Sequence, residues 1–395
     1  MKKIKLTDIA PYSGNRVQPF DGVKRYMSTG DLKGDNLCFE DVTYQSKPTR
    51  ADILVSEGDI LFAKMTNTNK ALQIDKELEG IIVSTGFSVH RPLENELFGE
   101  YFLHFLKHNN FQRQKNKLCT GAIQSAISNS GIAKIFVPVP DYNDQLHIAN
   151  ILYKAENLIA QRKESIRLLD EFLKSTFLEM FGDPAFNIKN WGEAKFKDLI
   201  AKGDKINYGI VQPGEAGRKE GVAIIRVGDF DGIRISVNNL KLVDPAIEQK
   251  HKASRLVGDE LLIACVGATI GKIALTDISH ADKNIVRAIA RIRCDSQKIN
   301  SLYLCQMLLT EFYQFKLKNL ARTIAQPTLN IGQIEELKII VPTIELQTQF
   351  AQIVEKTEAL KTQYQQSLQE LQNLYGSLSQ QAFRGELTIN KAVSV

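Results

Sequence analysis

A single tryptophan, only five cysteines and no long apolar run in 395 residues each close off a class of protein. Cys38, Cys119, Cys265, Cys294 and Cys305 lie far apart with no Cys-x-x-Cys spacing, which argues against a zinc knuckle or a disulfide framework. They read as ordinary thiols. No apolar stretch approaches the roughly 20 residues that cross a bilayer. The start, Met1-Lys-Lys-Ile-Lys-Leu6, runs into Thr7 and Asp8 rather than the apolar core of a secretion signal. A cytoplasmic protein without membrane contact is expected. Catalytic signatures are scarce too. There is no Gly-x-Gly-x-x-Gly fingerprint, no nucleophile elbow and no Gly-rich loop closing on Lys-Ser or Lys-Thr. Val266-Gly-Ala-Thr-Ile-Gly271-Lys272 comes nearest to a phosphate cradle, but its spacing is wrong and a hairpin turn accounts for it better. His104 and His108 have the spacing of a metalloprotease pair, yet Phe105 stands where that motif needs Glu. The Asn-Pro-Pro-aromatic and Asp-Pro-Pro-aromatic signatures of base methyltransferases are missing, and no nuclease-type acidic motif is evident. No catalytic residue, metal ligand or cofactor is assigned to this chain.

What the sequence does contain, it contains twice. At an offset of 202, Thr120-Gly-Ala-Ile-Gln124-Ser125 falls on Arg322-Thr-Ile-Ala-Gln326-Pro327, and Gln145-Leu-His-Ile-Ala149 on Gln347-Thr-Gln-Phe-Ala351. Gly58-Asp-Ile-Leu61 matches Gly258-Asp-Glu-Leu261 at 200, and Thr29-Gly-Asp-Leu32 matches Val227-Gly-Asp-Phe230 at 198. Four blocks in one order mean a tandem duplication, each copy about the size of a domain plus a long helix. Net charge is only +5, but its placement is informative. Residues 101–136 carry Lys107, Arg113, Lys115, Lys117 and Lys134 without one acidic side chain, and residues 312–334 carry Lys316, Lys318 and Arg322 likewise. A third acid-free window, Lys283 to Arg293, alternates as a half-buried strand with a basic outer face. Recurrence of such windows in both copies points to nucleic acid.

In each copy a β-rich region precedes an aromatic-rich helix, near Tyr101 to Lys117 or Leu302 to Leu320. Strands Ile135-Phe-Val-Pro138 and Ile339-Ile-Val-Pro342 follow and end at proline. The pattern then changes to a heptad seam: Ile148, Leu152, Ala155, Ile159, Ile166, Leu169 and Leu173, with a break at Arg162. The second copy repeats it with Ile353, Thr357, Leu360, Tyr364, Leu371, Leu374 and Leu378. Each helix is expected to run some 33 residues, roughly 50 Å, longer than a small domain needs, so the two should pair with each other.

This order of elements resembles the specificity subunits of type I restriction-modification systems over essentially the whole chain. The resemblance rests on the two Gly-Asp blocks, Gln124 and Gln326, Val137-Pro138 and Val341-Pro342, Gln145 and Gln347, and the long helices. Ile344 standing where the first copy has Pro140, and the lack of glycine in Thr66 to Asn69, depart from an exact repeat. The resemblance implies an α+β protein: target-recognition domain 1 (1–142), a spacer helix (143–182), a linker (183–190), target-recognition domain 2 (191–344), a second spacer helix (345–384) and a tail (385–395). The helices would form an antiparallel coiled coil with pseudo-two-fold symmetry. The chain would then be a non-catalytic subunit reading a bipartite double-stranded DNA site, one half per domain. Its implied partners are two modification (methyltransferase) subunits and the restriction subunits. S-adenosylmethionine, ATP and Mg would be bound by those partners. Because Arg and Lys suit guanine, and Asn and Gln suit adenine, DNA-binding candidates are Lys64, Asn67, Asn69, Lys70, Lys117 and Gln124 in the first domain. In the second they are Lys272, Lys283, Arg287, Arg322 and Gln326. Gln124 and Gln326, shared by domains with different targets, equally suit a structural turn. A stand-alone nuclease and a protein-binding coiled-coil scaffold are the competing readings; only the first predicts metal-dependent cleavage by the chain alone, and the second predicts no salt-dependent DNA affinity.

Overall fold

The computed structural model describes residues 1–34, 36–121, 125–214, 220–321 and 327–387. The chain forms two compact units: Met1–Lys163 with the described part of Gln366–Val395, and Glu164–Gln365. Each boundary falls inside a long helix, Tyr142–Phe181 or Ile344–Arg384. These helices have 40 and 41 residues, about 60 Å each, longer than their seams indicate.

The two units repeat one plan. In the first, strand Lys2–Lys5 pairs antiparallel with Phe136–Val139; in the second, Gly192–Lys195 pairs with Lys338–Val341. A central strand, Ile60–Ala63 or Glu260–Ala264, lies between two antiparallel neighbours: Phe87–His90 and Ala71–Gln73 in the first unit, Ile289–Arg293 and Ile273–Leu275 in the second. Beside it a sheet of short strands includes one parallel pair, Lys24–Met27 with Ile82–Ser84 or Val222–Ile225 with Asn284–Ile285. Two helices pack against these sheets: Gly99–Lys107 and Asn109–Leu118, repeated as Ser301–Leu308 and Glu311–Leu320.

Several buried polar ties recur at the single offset of 202. Tyr101 donates its hydroxyl to Pro138 O at 2.6 Å, as Tyr303 does to Ile340 O at 3.0 Å. Gln145 accepts from Phe98 N and donates to Glu96 O and Pro140 O; Gln347 accepts from Asn300 N and donates to Lys298 O and Pro342 O. Both glutamines are buried, each fastening the start of a long helix to the loop before the aromatic helix. These bonds correct the sequence pairing of the prolines. Pro140, not Pro138, is the counterpart of Pro342, and Pro138 lies inside its strand, which belongs to a two-stranded ribbon where a missing N–H is tolerated.

The long helices run antiparallel within each unit. In the second unit Asp170 pairs with Lys361 at 2.5 Å while Phe177 and Phe181 pack edge-to-face with Phe350, so advancing along one helix means retreating along the other. In the first, Tyr375 donates to Glu156 at 2.8 Å and Phe383 packs against Tyr101 and Phe105. Burial alone would push the Glu156 carboxyl up, but His104, Lys107 and Tyr375 hold it down at about 2. The helix ends are therefore exchanged: Phe177 and Phe181 of the first repeat complete the core of the second unit, and Ala382 and Phe383 of the second repeat complete the first.

Of the seam residues, Ile148, Leu152, Ala155, Leu173 and Thr357 are buried, and Ile159, Ile166, Leu169, Ile353, Leu360, Tyr364, Leu371 and Leu378 are half-buried. Leu374 is 50% exposed and Val354, beside Ile353, is fully buried, so the second seam lies partly one position away from its sequence register.

Candidate nucleic-acid interface

Among the described candidates, Lys64, Asn67, Asn69 and Lys70 of the first unit and Lys272 and Arg287 of the second lie at the same end of the central strand, whereas Lys283, whose carbonyl takes the Leu256 N–H, lies at the other end. In the first unit, Ala63 N donates to Lys70 O, Lys64 N to Gly86 O, and Ile127 N to Lys64 O. In the second, Ala264 N donates to Lys272 O, Cys265 N to Ala288 O, and Leu329 N to Cys265 O. The two strand ends are thus wired alike and carry different side chains.

In the first unit the turn Lys64 to Lys70 is fastened to helix Asn109–Leu118. His108 caps that helix, its Nδ1 accepting from Asn110 N at 3.1 Å. Phe111 and Lys115, one turn apart, form its buried face, and Arg113 and Lys117 are exposed. Asn67, in a left-handed conformation (φ 55°), donates its N–H to Asn116 Oδ1 at 3.0 Å, and Asn116 Nδ2 donates back to Asn67 Oδ1 at 3.1 Å. Asn69 donates to Lys107 O and accepts from Gln112. Lys70 donates its ammonium to Thr29 O at 2.6 Å. Lys64 is half-buried, and burial lowers its pKa. Of these candidates Lys117 presents an exposed cation without a carboxylate partner among the described residues, which suits a phosphate. Gln124 lies outside the described residues.

The second unit presents Lys272 and Arg287 exposed on either side of its central strand end. Lys283 gives its ammonium to Ser279 O. Arg322 and Gln326 lie outside the described residues. Of the basic outer face expected of window 283–293, Arg287 is exposed but Arg291 is not. Strand Ile289–Arg293 is interior to a four-stranded sheet, and Arg291, 5% exposed, lies between Glu260 (3.1 Å) and Asp204 (3.0 Å). Arg293 pairs with Asp259 at 2.8 Å. Arg291 is consumed inside the protein, and Arg293 is spent on a surface ion pair.

The Gly-Asp blocks also have structural work. Asp59, 1% exposed, accepts from Ser13, Ser56 N and Arg91. In the second copy the buried carboxylate is Glu260, which takes the N–H groups of Val257, Gly258 and Asp259 and the Thr276 hydroxyl. Gly258 (φ +99°) has to be glycine, because a Cβ there would lie 2.6 Å from Asp277 O.

Neither histidine of the 104/108 pair faces a metal site: His104 is buried against Glu156 and His108 is a helix cap. No cluster of three potential ligands occurs among the described residues. His90, pushed down to about 4 by burial, is held between Ser88 and Ala10 O. The arrangement offers hydrogen-bond donors and cations at two equivalent strand ends. Sequence reading missed Lys115 and Asn116 in it. Their signal was the apolar phase of Phe111, Lys115 and Leu118, which puts a lysine on the inward face.

The family described as the type I restriction modification DNA specificity domain matches residues 1–168 and 188–373. The EcoBI specificity subunit of Escherichia coli is 30% identical over 204 residues, a match covering 51% of this chain and 42% of that protein. The MjaVIII specificity subunit of Methanocaldococcus jannaschii is 22% identical over 362 residues, 87% of this chain and 81% of that one. Among solved structures, the S subunit of a type I restriction-modification system from M. genitalium superposes with a TM-score of 0.60 at 15% identity, over 97% of this chain and 96% of that one. That likeness establishes the shared fold.

Proposed function

The chain belongs to the type I restriction-modification DNA specificity family, and on that premise we propose that it recognises a bipartite double-stranded DNA site, one half per unit, and directs modification and restriction subunits to it. The observation that carries this reading is the doubled strand end, identical in backbone wiring and different in side chains. One scaffold used twice with different contact groups is what two unlike half-sites require. Lys117 in the first unit and Lys272 and Arg287 in the second contact phosphate. Asn67 and Asn69 reach bases only by exchanging Asn116 and Gln112 as partners.

The long helices serve as the spacer. At about 60 Å each is longer than one DNA turn of about 34 Å, long enough for a spacer between two half-sites. Two modification subunits supply S-adenosylmethionine chemistry, and restriction subunits supply ATP-driven cleavage. This chain contributes recognition, and acts in the cytoplasm, a setting consistent with its five unpaired cysteines. The test is to map modified bases in DNA from cells co-expressing the chain with its modification subunit. A new bipartite motif is expected. Co-purification of the two proteins without any new modified motif would overturn the reading in favour of a protein scaffold.

A further inference from the structure

Helix Asn109–Leu118 buries a lysine where its twin helix buries a leucine. At the offset of 202, Phe111 matches Tyr313, and Gln112 matches Gln314, both glutamines donating to the carbonyl six residues back, Leu106 or Leu308. Lys115 therefore falls on Leu317, and both are 0% exposed. The fold at this position accepts a plain apolar side chain, so the ammonium is not there to hold the helix in place.

What the ammonium touches is the turn. Lys115 Nζ donates to Ala63 O at 3.2 Å and Thr68 O at 2.5 Å, and no carboxylate among the described residues pairs with it. Burial lowers its pKa to about 8, a sign of how poorly the site tolerates the charge. Asn116, next along, grips Asn67 from both sides, and Gln112 reaches Asn69 Oδ1 at 3.3 Å. The second unit's turn has no such pin. It bends at Gly267 and Gly271, with φ of +62° and +87°, and Gln314 donates to Gly271 O at 2.9 Å. The first turn lacks glycine from Lys64 to Lys70 and has to be fixed from outside.

We infer that Lys115 is a specificity-positioning residue: it pins the turn Lys64 to Lys70 to helix Asn109–Leu118, so that the turn presents one arrangement of side chains to the first half-site. The inference rests on the bipartite reading above. It separates the two units, because the second half-site serves as an internal control within the same complex.

The experiment is Lys115→Leu, which imports the residue of the second copy, in the full chain co-expressed with its modification subunit. Modified bases are mapped across the genome, and the thermal transition of the purified complex is recorded. The expected result is a transition no lower than wild type, a second half-site read as before, and discrimination at one or more first half-site positions relaxed about ten-fold or more. Asn116→Ala, which removes the clasp on Asn67 from a half-buried position, relaxes the same positions and guards against a folding failure of the first variant. An unchanged motif in both variants overturns the inference while leaving the bipartite reading intact. Loss of both half-sites in parallel in the Asn116→Ala complex also overturns it, since that is a loss of structure rather than of positioning. No bipartite motif from the wild-type complex sinks the parent reading, and this inference with it.

Discussion

Arg291 separates the two accounts of the basic strand. Read by alternation, it faces outward to DNA; in the fold, it is enclosed with Glu260 and Asp204. Replacing it by methionine keeps the stem volume and strands the Glu260 carboxylate, which is 0% exposed. Breaking a buried pair from one side costs about 3–5 kcal/mol. The lower end applies, because Val257 N, Gly258 N, Asp259 N and Thr276 Oγ1 still donate to Glu260, at 2.7, 2.9, 3.1 and 2.6 Å. A loss of about 3 kcal/mol in a unit of this size lowers its melting temperature by roughly 6–12 °C.

The chain's one tryptophan, Trp191, belongs to the second unit and donates to Phe181 O, so its fluorescence reports that unit's unfolding. The pH dependence adds a check. Burial alone would raise the Glu260 pKa, but the Thr276 hydroxyl, the N–H groups of Val257 and Gly258, and Arg291 hold it below the ordinary range. A depressed carboxyl contributes stability above its unfolded pKa of about 4.5, and that stability fades as pH falls below it. Without Arg291 the depression shrinks, so the gap between wild type and Arg291→Met narrows as pH drops from about 5 toward 3. Arg287→Ala is the contrasting case: its melting temperature stays near wild type while the salt dependence of DNA binding falls by about one phosphate contact. An Arg291→Met protein that melts as wild type but loses salt-dependent DNA affinity would refute the reasoning.

Removing one heptad from both helices, residues 159–165 and 366–372, shortens each by roughly 10 Å, about 3 base pairs. The preferred spacer should contract accordingly with both half-sites unchanged; methylation mapping that returns the original spacer rules out the helices as its determinant. Gln347→Leu leaves Asn300 N–H, Pro342 O and Lys298 O unpaired and should cost about 2–3 kcal/mol, read in the Trp191 transition. Lys115, lowered to about 8 when folded against 10.5 ordinarily, binds its proton more readily in the unfolded chain. Stability is therefore least below pH 8 and rises by about 3 kcal/mol toward pH 10.5. Urea titrations across that range should show this component in wild type and not in Lys115→Leu.

The duplication and the pairing of the long helices were legible because both rest on repeated spacing; their antiparallel sense was implied only by the family resemblance. The seam alone gave too short a helix because it was counted only as far as its apolar heptads, whereas the bounds implied by the resemblance, 143–182 and 345–384, lie within a residue of the helices observed. Each helix continues through Phe177 and Phe181, or Ala382 and Phe383, residues that fill the other repeat's unit. Nothing local in a sequence says that a helix end will be exchanged. Arg291 was misplaced for a related reason: alternation describes a strand with one wet face, and residues on both faces of this strand are buried. Lys115 stayed hidden because a lysine in an acid-free window reads as surface until its phase against Phe111 is weighed.

Two copies of one plan in one chain allow a comparison that neither copy allows alone. Tyr101 and Tyr303, Gln112 and Gln314, and Gln145 and Gln347 recur at one offset with the same partners, because each satisfies a buried carbonyl or N–H that the backbone plan creates every time it is built. At the strand ends the backbone bonds recur but the side chains do not: Lys64 faces Cys265 in the comparison, and Lys115 faces Leu317. A requirement of folding would have imposed the same answer in both places, as it did for the glutamines. Where the plan holds and the residues diverge, folding alone does not dictate the residue. On the proposed function, the turn Lys64 to Lys70, its pin at Lys115 and the glycine-bent turn before Lys272 are the parts free to differ with what each unit reads. Gln145 and Gln347 belong to the frame that holds the reading surface in place.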